Sequence, residues 1–174
     1  MLIFQYLDHL PKIPPALLQD PYIPDPTLIG FQDTGYTRWA IRPELKSWLA
    51  ENISQDVAIA GYQVISQDVN AHCDKRLWAV NYIVDPGGPN VVTTLWQQPG
   101  LPVSREPSIK IPEYAKLNML ESVCIESGRW HVLNTRVLHS VKGIKTARSA
   151  ITIGLNSADP FSLINHDQGQ TNGT

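Results

Sequence analysis

The sequence predicts a mainly β protein whose helices are confined to the N-terminal third, and three observations carry that reading. From Leu77 onward, apolar runs of strand length follow one another, separated by turns rich in Gly and Pro. About seven or eight such short strands favour a closed or two-sheet β architecture, because closure or a second layer disposes of strand edges. The clearest helical stretch, Pro43 to Ala50, lies early in the chain.

Taken in order, residues 1–27 hold six prolines: Pro11, Pro14, Pro15, Pro21, Pro24 and Pro26. Proline fixes φ and lacks an N–H, so no long helix or central strand fits here. The apolar Ile3, Phe4, Tyr6, Leu7 and Ile13 imply a segment draped over a core. Pro43 suits the first turn of a helix, and Leu45, Trp48 and Leu49 give it one apolar face, ending near Asn52. Val57–Ile65 is a strand leading to the segment around His72. Leu77–Val84 and Val91–Trp96 flank the turn Asp85-Pro86-Gly87-Gly88-Pro89-Asn90, and the spacing predicts a hairpin. A Pro-bearing stretch from Gln97 to Pro112 is long enough to be a functional loop. Leu117–Ile125 and Trp130–Leu133 predict a second hairpin. Two last strands hold His139 and Arg148, and the polar tail 165–174 is expected to fray.

Composition bounds the function. The chain has 174 residues, 43% hydrophobic and 17% charged, which suits one globular domain over 1–174. A net charge of −2 gives no basic footprint, so no nucleic-acid partner is expected. No apolar run is long enough to cross a membrane, and Cys73 and Cys124 make no disulfide framework. With no basic-then-apolar leader at the N-terminus, the expected compartment is a reducing cytoplasm. The sequence does not speak to oligomeric state.

The residues that carry chemistry are His72-Cys73-Asp74, His139 and Arg148. On an extended segment His72 and Asp74 share a face, with Cα atoms roughly 6–7 Å apart, while Cys73 points the other way as a small filler. A second His from a distant strand completes a face of two imidazoles and one carboxylate. With three coordination positions left open, that set suits non-haem Fe(II) oxygenation. His131 competes with His139 for the third place. Were residues 130–140 one strand, the two would lie roughly 27 Å apart and could not share a metal. Arg148 enters the alternating strand Ala147–Leu155, where a buried guanidinium needs an anion, such as a dicarboxylate co-substrate held by a bidentate pair.

From about Ala71 to Leu155, these residues resemble the catalytic core of the Fe(II)/2-oxoglutarate-dependent dioxygenases. The prolyl 4-hydroxylase-like and aspartyl/asparaginyl hydroxylase-like branches are the most similar. The resemblance implies a double-stranded β-helix (jelly roll) with a core of about 57–157. It also implies Fe(II) on His72, Asp74 and His139, and 2-oxoglutarate as co-substrate anchored by Arg148. The activity implied is hydroxylation of an amino-acid side chain in a peptide, protein or small molecule. In many relatives a hydroxyl residue two places after the Arg also touches the carboxylate, but here that position is Ala150. Tyr82 and Asn81 are the candidates to replace it, and Trp78, Tyr82 and Trp96 are candidates to line the pocket. Two alternatives share this fold: a cupin-like metal enzyme of another class, and a jelly-roll binding module without catalysis.

Overall fold

The computed structural model describes residues 2–24, 35–104, 116–155 and 160–164, the side chains of Phe161 and Ile164 excepted. In chain order the elements are β1 (Phe4–Tyr6), α1 (Pro15–Leu18), β2 (Tyr36–Ala40), α2 (Pro43–Asn52), β3 (Val57–Ile65), β4 (Val69–His72) and β5 (Trp78–Asp85). There follow β6 (Val92–Gln97), β7 (Asn118–Val123), β8 (Trp130–Asn134), β9 (Leu138–Lys142), β10 (Arg148–Leu155) and α3 (Phe161–Ile164). A larger sheet runs β1-β8-β5-β10-β3-β2 and a smaller one β4-β9-β6-β7, with every pair antiparallel. From β3 to β10, the strands fall in turn as large, small, large, small, small, large, small, large. That is the winding of a jelly roll, and the mainly β expectation holds.

The two expected hairpins do not form. β5 pairs with β8 and β10, whereas β6 pairs with β7 and β9, so the Asp85–Asn90 turn crosses between sheets. Its geometry explains why. Gly87 and Gly88 take φ of 83° and 134°, and the Gly87 carbonyl accepts from the backbone N–H groups of Lys145 and Thr146. The turn is tied to the β9–β10 connection rather than closing on its own strands. β7 and β8 likewise lie in different sheets.

Each sheet face has its own core. On one face of the large sheet, Val80, Tyr82, Ile151 and Ile153 pack against Leu45 and Leu49 of α2, and against Leu7, Ile13 and Trp130. Leu45 and Leu49 are one helical turn apart and almost wholly buried, each contributing about 1.5–3 kcal/mol of apolar transfer. The Pro-rich segment is held by the Trp130 indole N–H donating to the Pro11 carbonyl at 2.9 Å, and by β1 at the sheet edge. The opposite face of the large sheet meets the small sheet, where Leu133 of β8 packs with Leu95 of β6 and with Val137. His139, Asn81 and Arg148 lie on this inter-sheet face. Among the described residues no helix is long and apolar enough to cross a membrane. The tail 165–174, the second half of the Gln97–Pro112 loop (105–112), and positions 25–27 of the Pro-rich segment lie outside the described residues.

Candidate metal centre

β4 and β9 pair so that His72 stands directly opposite His139, and their rings lie 4.3 Å apart between centroids. β4 ends at His72, and the next residues are held by the turn that carries the chain from β8 to β9. The Asp74 N–H donates to the Thr135 carbonyl at 2.8 Å, the Thr135 hydroxyl donates to the Arg76 carbonyl at 2.6 Å, and the Thr135 N–H donates to the Leu77 carbonyl. Asp74 therefore sits on backbone fixed from the far side of the sequence. One ligand atom from each of His72, Asp74 and His139 lies within 4.8 Å of the other two, a spread that one metal ion can span.

Hydrogen bonds set both imidazoles. Nδ1 of His72 lies 2.9 Å from the Asn70 carbonyl, and Nδ1 of His139 lies 2.9 Å from the Val137 carbonyl. A carbonyl only accepts, so Nδ1 carries the proton in each ring and the Nε2 lone pair is left for a ligand bond. This is the outer-shell arrangement of metal-bound histidines, here written as two identical i to i−2 contacts on facing strands. Burial, with the nearby His72, pushes His139 down to about 4, against the opposing pull of Asp74 and the Val137 carbonyl. Burial pushes the Asp74 carboxyl up, but the neighbouring His72, His139 and Arg76 outweigh it and hold the group at about 2. At neutral pH the site thus offers a neutral imidazole and an ionised carboxylate, the forms a metal requires. Cys73 turns to the other face and packs with Leu138.

Deeper on the inter-sheet face lies a second polar group. Arg148, at the start of β10, is 6% exposed, and its Nη1 has no hydrogen-bond partner among the described residues. Burial pulls this guanidinium down to about 10, partly offset by Tyr6. His131 and Asn81 face each other across the β5–β8 pair, Nδ2 of Asn81 lying 3.4 Å from Nε2 of His131. The amide donates, so Nε2 accepts and Nδ1 bears the proton; that Nδ1, like Oδ1 of Asn81, is buried without a partner among the described residues. Burial first, then Arg148, pushes His131 down to about 3, so it is a neutral donor. Each orphaned polar atom costs about 1–3 kcal/mol, and native proteins keep few of them. Two orphaned donors and an acceptor thus lie on one buried face.

No family model and no curated protein matches the chain. Among solved structures it is similar to vicilin from Corylus avellana (hazelnut), at 13% identity and a TM-score of 0.39, covering 72% of this chain and 31% of that one. It is also similar to E. coli ycfD, at 10% identity and a TM-score of 0.36, covering 75% and 36%. The chain spans well under half the length of either, and the fold follows from the strand order itself.

The structure brings together His72, Asp74 and His139, and sets Arg148 and Asn81 on the same inter-sheet face. Tyr82 is not brought there. It alternates to the other side of β5, 5.1 Å from Trp130, because its register partner Ile151 belongs to the helix-covered core. Trp78 shares that side, and Trp96 packs with Leu138 on the outside of the small sheet, so none of the three lines the inter-sheet space. His131 does not join the metal group, since β8 and β9 belong to different sheets. Sequence reading missed Tyr36 and Arg38, whose only signal was an alternating polar face on the strand before α2.

Proposed function

We propose that the protein is an Fe(II)- and 2-oxoglutarate-dependent dioxygenase that hydroxylates an amino-acid side chain in a peptide, protein or small molecule. One observation carries the reading: a two-His, one-carboxylate group with both Nδ1–H groups tied to backbone carbonyls lies on the same inter-sheet face as a buried guanidinium with no ion-pair partner among the described residues. The donor set is borderline-hard nitrogen and oxygen without sulfur, which suits Fe(II). His72, Asp74 and His139 would hold the metal. Arg148, with the neutral His131 beside it, would hold the distal carboxylate of 2-oxoglutarate, supplying donors where Ala150 has no hydroxyl. When bound, this metal and co-substrate supply the oxidation of an unactivated C–H bond by O₂, with succinate and CO₂ as co-products. The chain's own part is to leave one coordination face open, to anchor the co-substrate, and to exclude water with Leu95, Leu133 and Val137. The substrate class rests on the resemblance of residues 71–155.

An anaerobic Fe(II) titration with and without 2-oxoglutarate, followed by O₂ and measurement of succinate, tests the proposal. One iron per chain and O₂-dependent succinate release are expected. Iron binding with no effect of 2-oxoglutarate would favour a metal enzyme of another class. No iron binding would favour a binding module.

A further inference from the structure

Two cations converge beside the metal centre that neither the metal nor the co-substrate uses. Arg76 reaches back so that its Nη1 donates to the Thr152 hydroxyl at 3.1 Å, while its Nε lies 3.6 Å from Oδ2 of Asp74. Arg38, on the edge strand β2, lies across the backbone of Gly61. A Cβ built there would stand 2.4 Å from the Arg38 Nε, so only glycine leaves the guanidinium its seat. Gly61 is the register partner of Thr152, so the two guanidiniums approach the same point of the inter-sheet face from opposite sides. Arg38 feels the charge of Arg76, and Tyr36 on β2 feels both guanidiniums as well as Asp74. Arg38 is half-buried and has no ion-pair partner among the described residues. Asp74 is the one described carboxylate nearby, and a metal that it ligates would take over its charge. Two guanidiniums that share one carboxylate leave an excess of positive charge, a cost that an anion spanning both would reduce.

We infer that Arg38 and Arg76, with the Tyr36 hydroxyl beside them, form the subsite for a carboxylate on the primary substrate, which holds the substrate against the open face of the metal. This rests on the dioxygenase reading and names its substrate class: a molecule bearing a free carboxylate, either an α-carboxylate or an acidic side chain. Arg148 serves the deeper co-substrate end and leaves this outer pair for the substrate.

The test uses anaerobic, Fe(II)-loaded protein with saturating 2-oxoglutarate and a panel of N-acetyl amino acids, each as the free acid and as the carboxamide. N-acetyl aspartate and glutamate methylamides are included to separate side-chain from α-carboxylates. Binding is read by ligand-observed NMR, and turnover on admitting O₂ by a mass gain of one oxygen. At least one acid should bind, and its neutral counterpart should bind about ten- to a hundredfold more weakly, as the loss of a charge-assisted pair implies. Arg38→Gln and Arg76→Gln should each erase that preference, and Arg38→Gln, which touches no metal ligand, should leave iron affinity and 2-oxoglutarate affinity at wild-type values. Gly61→Ala should weaken acid binding by displacing Arg38 with every charge retained, and Arg38→Lys should recover only part of the preference. Equal binding of acid and amide, an undiminished preference in both Gln variants, or no carboxylate bound by the wild type would overturn the inference. A preference for acids in a protein that binds no 2-oxoglutarate would leave the subsite standing and sink the dioxygenase reading instead.

Discussion

His72 and His139 face each other across one register position of an antiparallel pair, and each donates its Nδ1–H to the carbonyl two residues before it. The tautomer of both rings is thereby a property of the backbone and needs no further side chain. Asp74, just past the end of β4, is held by a different device, its N–H on the Thr135 carbonyl.

The metal assignment predicts that His139→Ala lowers Fe(II) affinity by at least about a hundredfold, since loss of an outer-shell partner alone can cost that much. His72→Ala and Asp74→Ala should do the same, because a three-donor site has no spare ligand. His131→Ala should keep its iron. Metal analysis of the four purified variants decides it; iron lost from His131→Ala and retained in His139→Ala would reverse the assignment.

Arg148 sets function against stability. A desolvated guanidinium with an orphaned Nη1 is unfavourable in the unliganded protein, so Arg148→Met should stabilise the metal-free chain by about 1–3 kcal/mol in urea unfolding. The same change should raise the KM for 2-oxoglutarate about ten- to a hundredfold with iron affinity unchanged. An unaltered KM, measured by succinate release, would remove Arg148 from the co-substrate site.

Acid should weaken the metal-free fold well above the range where carboxylates protonate. His131 is held at about 3, below its free value of 6.5, so between these limits the unfolded chain binds the extra proton. Its stabilising effect is therefore complete above about pH 6.5 and is lost at about 1.4 kcal/mol per pH unit below it. His139, held at about 4, adds a similar slope, whereas Asp74 contributes only below 3.8. Urea midpoints at pH 7.5 and 5.0 should differ, and His131→Gln should remove roughly half of the difference. An undiminished difference in that variant would mean that His131 is not buried as a neutral ring.

The local part of this architecture was legible in the sequence. Val57–Ile65 is β3 residue for residue, and α2 begins at Pro43 as its Pro and its Leu45/Leu49 spacing require. Period-two alternation puts His72 and Asp74 on one side and Cys73 on the other. Strand partnership was not legible. A Gly- and Pro-rich turn looks the same whether it closes a hairpin or crosses to a second sheet, and what decides is the Gly87 carbonyl accepting from Lys145 and Thr146, far along the chain. The errors over Tyr82 and Trp96 share this origin, since alternation names two faces without saying which one meets the other sheet. Arg38 was invisible because its seat is made by an absent side chain, that of Gly61.

Gly87 offers the last test, because it joins that crossing turn to Arg148, the proposed co-substrate anchor. Its φ of +83° disfavours any L side chain, and a Cβ there would stand 2.9 Å from Cβ of Arg148 and 3.0 Å from the Thr146 carbonyl oxygen. Arg148 cannot swing away from such a contact by changing rotamer, since its own Cβ is the atom struck; β10 itself must shift. Gly87→Ala should therefore cost about 1–3 kcal/mol of stability from backbone strain. It should also raise the KM for 2-oxoglutarate while leaving iron affinity near wild type, because β4 and β9 belong to the other sheet. The expected signature is a destabilised protein with a full metal site and a weakened co-substrate site. Parallel loss of iron and 2-oxoglutarate would show instead that the metal group and Arg148 do not move independently.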